Sequence, residues 1–514
     1  MGARLLALAP LVVLAMVAPA GADPRHPAPA PGAEGIGDRL FPQLGNGGYD
    51  AKHYDLALDY PSSAPEQDVA GKVTMFARAT QSLSRFDLDF QGDSVDGVWV
   101  NGRPAAYSLA GAELVITPRH PIHQGRKFRV SVRFVSGPYT PAPDDDVPFG
   151  WFTTLDGSVT AGQPDQAHTI YPVNDHPADK ASYTIHLDVP EGVTAVANGE
   201  LRWSSTRDGR TRSVYVMKEP MASELTEVAV GRLDVIQRGF VDGVRVRDVA
   251  PTALAPQLEG ALSRTPNHLR WMTNLVGPYP FDSYGVLAAD QNFGYALETQ
   301  TLSLHPAFFF APEVPLASNE PIMVHELAHQ WFGDSLAPEQ WSDVWLNEGH
   351  ATWYEWLYGY EFFLAERPDY DFVPRVREAY SHGDQWRKLY GPVARPSSNE
   401  LFDLFSPNVY DGGAVVLYAL RQVIGDSAFA ELERRWAQKY AGASVGTDDF
   451  IALASRVAGR DLGPFLRDWL YGTTTPAMPG HPDWTVLPAD TPLPTATAAR
   501  AGGARGFERT MRKH

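Results

Sequence analysis

Cysteine is absent from the 514 residues. Counting alone therefore excludes disulfides, cysteine-based zinc sites, iron–sulfur ligation and a thiol nucleophile, and any metal must be held by His, Asp or Glu. Apolar runs long enough to cross a bilayer are missing as well. The amino-terminal run from Leu5 to Val17 contains Pro10 and falls short of the roughly 20 residues required. With Arg4 before it and Ala20-Gly21-Ala22 after it, residues 1–22 read as a cleaved secretory signal. The protein is expected to be secreted, with no transmembrane segment in the mature chain. An excess of positive charge is also lacking, since 43 Lys and Arg face 61 Asp and Glu for a net charge of −18. Such a chain is a poor partner for nucleic acid, whose phosphates demand basic surface. No tandem repeat is found.

What is present is a globular composition, 44% hydrophobic and 20% charged, in a chain long enough for two or three cores. Residues 23–39 are rich in Pro, Ala and Gly and read as a disordered spacer. From 40 to 240, runs such as His53–Leu58, Phe128–Val132 and Tyr183–Val189 alternate apolar with polar residues, the mark of half-buried antiparallel strands. From 241 to 475 apolar residues recur three and four apart. Helices are expected at Ile322–Phe332, Val344–Leu357, Ala414–Ile424 and Phe450–Val457, the last capped by Thr447. Residues 476–514 return to low complexity, end in a basic stretch, and read as a disordered tail.

The chemistry centres on His325-Glu326-Leu327-Ala328-His329. Residues i and i+4 stack on one helix face about 5–6 Å apart, so two imidazoles can converge on one ion. Pro321 suits the first turn of that helix, and Ser318 or Asn319 could cap it. The flanking residues Met323, Val324, Trp331 and Phe332 mark the helix as buried, and buried paired histidines need a partner. Glu348, on the next helical pattern, supplies a third ligand. A His₂Glu set leaves one coordination position open, as in a catalytic zinc site. Two imidazoles favour zinc over magnesium or calcium, one ion per chain. Glu326, beside the first ligand, is placed to act as the general base on a metal-activated water.

The run from His325 through Trp331-Phe332-Gly333-Asp334 and Trp341-Ser342-Asp343 to Trp345-Leu346-Asn347-Glu348-Gly349 resembles the aminopeptidase N family of gluzincin zinc metallopeptidases. Tyr295-Ala296-Leu297-Glu298-Thr299 stands where that family carries its G-A-M-E-N motif. The resemblance implies that Glu298 binds the free α-amino group of the substrate, and Tyr295 and Thr299 depart from the motif. Val409-Tyr410-Asp411-Gly412-Gly413-Ala414 is similar to the family's Y-x-K-G-A run, which gives Tyr410 the role of oxyanion donor. Gly412 stands in place of the lysine. Gln163 matches a residue of the family's N-terminal domain that helps to hold the amino terminus.

The implied fold is a multi-domain α+β chain, with a mainly antiparallel β N-terminal domain followed by a thermolysin-like zinc metallopeptidase domain. The likeness ends near Gly472, so a short form without the large helical C-terminal domain is expected, with an open site that takes peptides longer than tripeptides. The implied activity is zinc-dependent aminopeptidase hydrolysis of peptides that have a free N-terminus. The alternatives are an endopeptidase or epoxide hydrolase on the same zinc site, or a peptide-binding relative without chemistry. His350 lies about 200° round the helix from Glu348 and cannot share the ligand face. Asp144-Asp145-Asp146 lacks calcium-ligand spacing and reads as a solvated turn. Most of the Trp and Tyr residues read as core.

Overall fold

The structure is a computed structural model that describes residues 28–142 and 148–492. The signal at 1–22, the Asp144–Asp146 turn and the tail beyond 492 lie outside the described residues.

The N-terminal domain is built on an eight-stranded sheet. At its centre Tyr49–Asp59 pairs antiparallel with Val69–Ala79, which pairs with Lys127–Ser136. On its other edge Tyr49–Asp59 runs parallel to Ala181–Pro190, so the sheet is mixed. The alternation expected from sequence places Tyr54, Leu56 and Leu58, then Phe128, Val130 and Val132, then Tyr183, Ile185, Leu187 and Val189 in the core. Two smaller four-stranded sheets complete the domain, one containing Gly150–Thr153 and Ser158–Ala161 just ahead of Gln163.

A further sheet begins the second domain. Leu233–Val241 pairs antiparallel with Val244–Pro251, which runs parallel to Val286–Ala289, and this in turn to Ser303–Pro306. The change of sheet therefore falls between Gly231 and Leu233, several residues before the expected boundary at 240, because the alternating pattern of Leu233–Val241 is the same in either sheet.

Helices follow: α1 (Ala255–Leu262), α2 (Thr265–Val276), α3 (Leu316–His329), α4 (Trp345–Phe363), α5 (Phe372–Ser381), α6 (Gly383–Tyr390), α7 (Leu401–Leu404), α8 (Asp411–Ile424), α9 (Asp426–Lys439), α10 (Thr447–Ala458) and α11 (Gly463–Tyr471). None of the described helices is long and apolar enough to cross a membrane. Trp345, Trp353, Tyr354, Trp356 and Tyr358 of α4 are buried in the core.

All four expected helices start at other residues, and in two of them the start signal itself differs. α3 begins at Leu316, so Pro321 lies inside it rather than in its first turn. Proline has no N–H for the carbonyl four residues back. That carbonyl, of Ala317, instead accepts the Tyr370 hydroxyl at 2.6 Å. In α10 the cap is Gly446, and Thr447 turns its hydroxyl to Asp343, 2.6 Å away.

Both segments read as disordered are ordered where they are described. Ala30 and Pro31 pair with the strand Leu83–Asp89, and Asp38 is buried against both domains. At the other end Met478 and Trp484 are buried, and the Leu487 N–H reaches the Ser381 carbonyl at 2.8 Å. The composition of these segments hid a few anchoring side chains, which suffice because the surface that receives them is already folded.

Candidate active site

α3 packs along α4, and α4 along α8. The second crossing is made by two glycines: a Cβ on Gly413 would stand 2.8 Å from the Gly349 Cα. This close approach sets Tyr410, just ahead of α8, beside Glu348 at the start of α4.

His325 and His329, one turn apart on α3, lie with ring centroids 4.8 Å apart. Each imidazole commits its Nδ1. That of His325 meets Glu355 Oε2 at 3.2 Å, and that of His329 meets the Phe332 carbonyl at 3.1 Å. The Nε2 atoms are left facing inward, and both lie 3.4 Å from the same atom, Glu348 Oε2. A tetrahedral ion with bonds of 2.0–2.1 Å separates its ligand atoms by about 3.4 Å. Glu348 Oε2 is buried and makes no hydrogen bond of its own. The donor set, its separations and this orphaned oxygen fit zinc.

Electrostatics separate the two neighbouring glutamates. Burial pushes the Glu348 carboxyl up, but the His329 charge and the close approach of both imidazoles outweigh it and hold the group at about 2. Burial pushes Glu326 up to about 8, with the two histidines only partly opposing it. Beside the charged imidazoles one acid is held as an anion, while the other can carry a proton at neutral pH.

Glu298 lies on the opposite side of His329, its Oε1 4.0 Å from Nδ1, and it belongs with Glu326 and His329 to one close group. Gln163 reaches across from the N-terminal domain and donates from Nε2 to Glu298 Oε1 at 2.8 Å. The Tyr410 ring lies parallel to the His325 imidazole, with centroids 5.8 Å apart. Burial first, then the nearby carboxylates of Glu348, Glu298 and Glu326, keep its phenol protonated. All seven residues singled out in the sequence are therefore gathered in one place. His350 faces away, its Nδ1 on the Leu346 carbonyl at 2.7 Å.

The departures from the family motifs have local explanations. The Tyr295 hydroxyl donates to the Pro148 carbonyl at 2.8 Å, and its ring stacks on Phe149 at 4.8 Å. Thr299 turns its hydroxyl to the Leu302 carbonyl. A Cβ at position 412 would stand 2.5 Å from Asn408 Oδ1, so a lysine there would require the Asn408 side chain to move.

Three supporting residues were not found by sequence reasoning. Glu355 orients His325 and is itself held by Arg375 at 3.0 Å. Its signal was available, since it follows Glu348 by two helical turns on the same face. Gln330 donates to the Glu298 carbonyl at 3.1 Å and accepts from the Tyr279 hydroxyl and the Thr301 N–H, pinning the Glu298 segment to α3. No local pattern distinguishes it or Arg375.

Residues 261–469 match the Peptidase family M1 domain. Aminopeptidase M1-A of Oryza sativa subsp. japonica is 28% identical over 324 residues, 61% of this chain and 36% of its own length. The chain thus spans little more than a third of that relative. Leukotriene A-4 hydrolase of Xenopus laevis is 26% identical over 472 residues, 83% of this chain and 71% of its own. Among solved structures, the M1 zinc metallopeptidase of Deinococcus radiodurans superposes with a TM-score of 0.74 and 29% identity, covering 87% of this chain and 99% of that one. A mutant of the same enzyme bound to a Tyr-Ser-Ala substrate matches equally, with a TM-score of 0.74. Residues 261–469 thus carry the family match, and in its two-domain fold and His-His-Glu cluster the chain is similar to the M1 zinc metallopeptidases, the aminopeptidase N type of gluzincin.

Proposed function

We propose that this chain is a zinc aminopeptidase that removes the first residue of peptides with a free N-terminus. The observation that carries the reading is the Gln163–Glu298 pair beside the converging His325, His329 and Glu348. Zinc held by those three residues would supply Lewis acidity to the first carbonyl and lower the pKa of a bound water toward about 7. Glu326 takes the proton of the attacking water and delivers it to the departing amine. Tyr410 donates its neutral hydroxyl to the developing oxyanion. Glu298, oriented by Gln163, pairs with the α-ammonium and so fixes which peptide bond lies against Glu326. The Tyr-Ser-Ala peptide held by the Deinococcus enzyme supports a substrate of this class.

Comparing an aminoacyl chromogenic amide with its N-acetylated form tests the reading. The free amine should be cleaved, the acetylated form should not, and a chelator should abolish turnover. Equal cleavage of both would favour an endopeptidase. Export belongs to the same reading: expression in a secreting host should yield a protein that begins after Ala22, and retention of residues 1–22 would remove that part.

A further inference from the structure

The segment ahead of the first long strand joins the two domains at a point that leads to the third metal ligand. Asp38 is fully buried, and its carboxylate accepts four hydrogen bonds. Oδ1 takes the N–H groups of Leu40 at 2.6 Å and Phe41 at 3.0 Å, which folds the segment into a tight turn. Oδ2 takes His176 Nε2 at 3.1 Å from the N-terminal domain and the Trp341 N–H at 2.7 Å from the catalytic domain. The Ala178 N–H donates to His176 Nδ1 at 3.0 Å, which makes Nε2 the donor toward Asp38.

The neighbours of Asp38 grip the same place. Arg39 donates to Ser342 Oγ at 3.0 Å and to the Pro396 carbonyl at 2.7 Å, and the Phe41 ring lies 5.8 Å from that of Trp341. Trp341 opens the short 3₁₀ turn Trp341–Asp343, which has no side-chain cap from its own flank and runs directly into α4. From there the backbone carries the link onward. The Val344 N–H donates to the Trp341 carbonyl at 3.2 Å, and the Glu348 N–H to the Val344 carbonyl at 3.1 Å. Three hydrogen bonds in series therefore connect the Asp38 carboxylate to the backbone of Glu348.

We propose that Asp38 is a positioning residue for the third metal ligand: it anchors the start of α4 to the N-terminal domain and so sets where Glu348 meets His325 and His329. Arg39 supports it. The inference rests on the reading of those three residues as zinc ligands. Outer partners that orient a ligand typically change metal affinity by about 10- to 100-fold when removed, and the link from Asp38 acts on the backbone of the ligand itself. Loss of Asp38 also leaves a buried Trp341 N–H without an acceptor, which forces that turn to move.

The test is the zinc affinity of the full-length Asp38→Asn protein, measured by competition with a chromophoric chelator at a temperature where circular dichroism shows it folded. In this variant one carboxylate oxygen becomes a donor facing N–H groups. Tyr49→Phe is the control, since it removes a buried hydrogen bond to the Asp87 carbonyl, 2.8 Å long, within the N-terminal domain. The expected result is an affinity reduced about 10- to 100-fold in Asp38→Asn and unchanged in Tyr49→Phe. A wild-type protein that takes up no zinc would overturn the zinc reading itself. A wild type that binds one zinc, beside an Asp38→Asn protein of equal affinity or a Tyr49→Phe protein with the same loss, would overturn the positioning role alone. If Asp38→Asn does not fold, Arg39→Met replaces it, because Arg39 is exposed and its loss removes only the bonds to Ser342 and Pro396. A several-fold loss then supports the proposal, and wild-type affinity overturns it.

Discussion

Adding one methyl group at Gly413 should separate stability from turnover. The Cβ of Gly413→Ala would stand 2.8 Å from the Gly349 Cα, a backbone atom of α4. Carbon atoms in contact normally keep about 3.5–4.0 Å, so the two helices must part by about 0.7–1.2 Å. Overpacking of this kind costs about 1–3 kcal/mol, whereas alanine gains about 1 kcal/mol over glycine in a helix interior. The net loss of stability is therefore about 0–2 kcal/mol, a fall of a few degrees in Tm. The same displacement moves Tyr410, three residues earlier, away from Glu348 and His325, and a misplacement of about 1 Å costs roughly 100-fold in rate. The assay is kcat on an aminoacyl chromogenic amide, alongside a thermal melt. The expectation is a kcat reduced about 100-fold with Tm nearly preserved. Gly349→Ala, whose Cβ would lie 3.0 Å from Gly413, should act alike, while Gly260→Ala, which meets nothing, should leave kcat unchanged. A Gly413→Ala enzyme with wild-type kcat would refute the claim that this crossing sets the site.

Other perturbations address single side chains. Glu355→Gln weakens the hold on His325 Nδ1 and should lower zinc affinity about 10- to 100-fold in chelator competition, with wild-type affinity counting against an orienting role. Glu326→Gln should retain one zinc by elemental analysis and lose about 10²- to 10⁴-fold in kcat; an unchanged rate would remove it as the base. Glu224 is fully buried, and its carboxyl is pushed up to about 8 by burial first, then by Asp175 and Glu298. Its proton is held in the fold but lost near pH 4.3 in the unfolded chain, so its stabilising contribution is complete below that pH and fades as pH rises to about 8. Glu224→Gln should therefore raise Tm more at pH 8 than at pH 5, and an equal shift at both would show that the charge is not what costs stability.

The parts of this site that sequence disclosed are those fixed by short-range geometry. Two histidines four apart on an apolar helix must share a face, and Glu348 opens the next helical pattern, so the three residues that converge were visible before any tertiary contact was known. Strands showed themselves through alternation because one face of each is buried. Pro321 was misplaced for the opposite reason. A proline inside a helix is excluded only while the carbonyl behind it lacks a donor, and the donor is the Tyr370 hydroxyl, beyond any local window. Arg375, Gln330 and Asn408 act through long-range contacts of the same kind.

The segment around Asp38 is held by long-range contacts of the same kind. Its composition is that of a linker, because anchoring it takes one carboxylate, one guanidinium and three apolar side chains, Leu40, Phe41 and Leu44, too few to shift an average. Energetically these few suffice, since the receiving surface is already folded and only the segment must lose its freedom. The N-terminal domain then touches the site at three independent places. Gln163 holds Glu298, Asp38 holds the turn before α4, and Lys180 donates to the carbonyls of Asp334 and Ser335 at 2.5 and 2.8 Å, just past the Phe332 carbonyl that orients His329. Each contact acts on a different member of the cluster. The helices of the second domain supply the His-His-Glu set, while the first domain fixes where its members stand, so the cluster is a product of the interface between the domains.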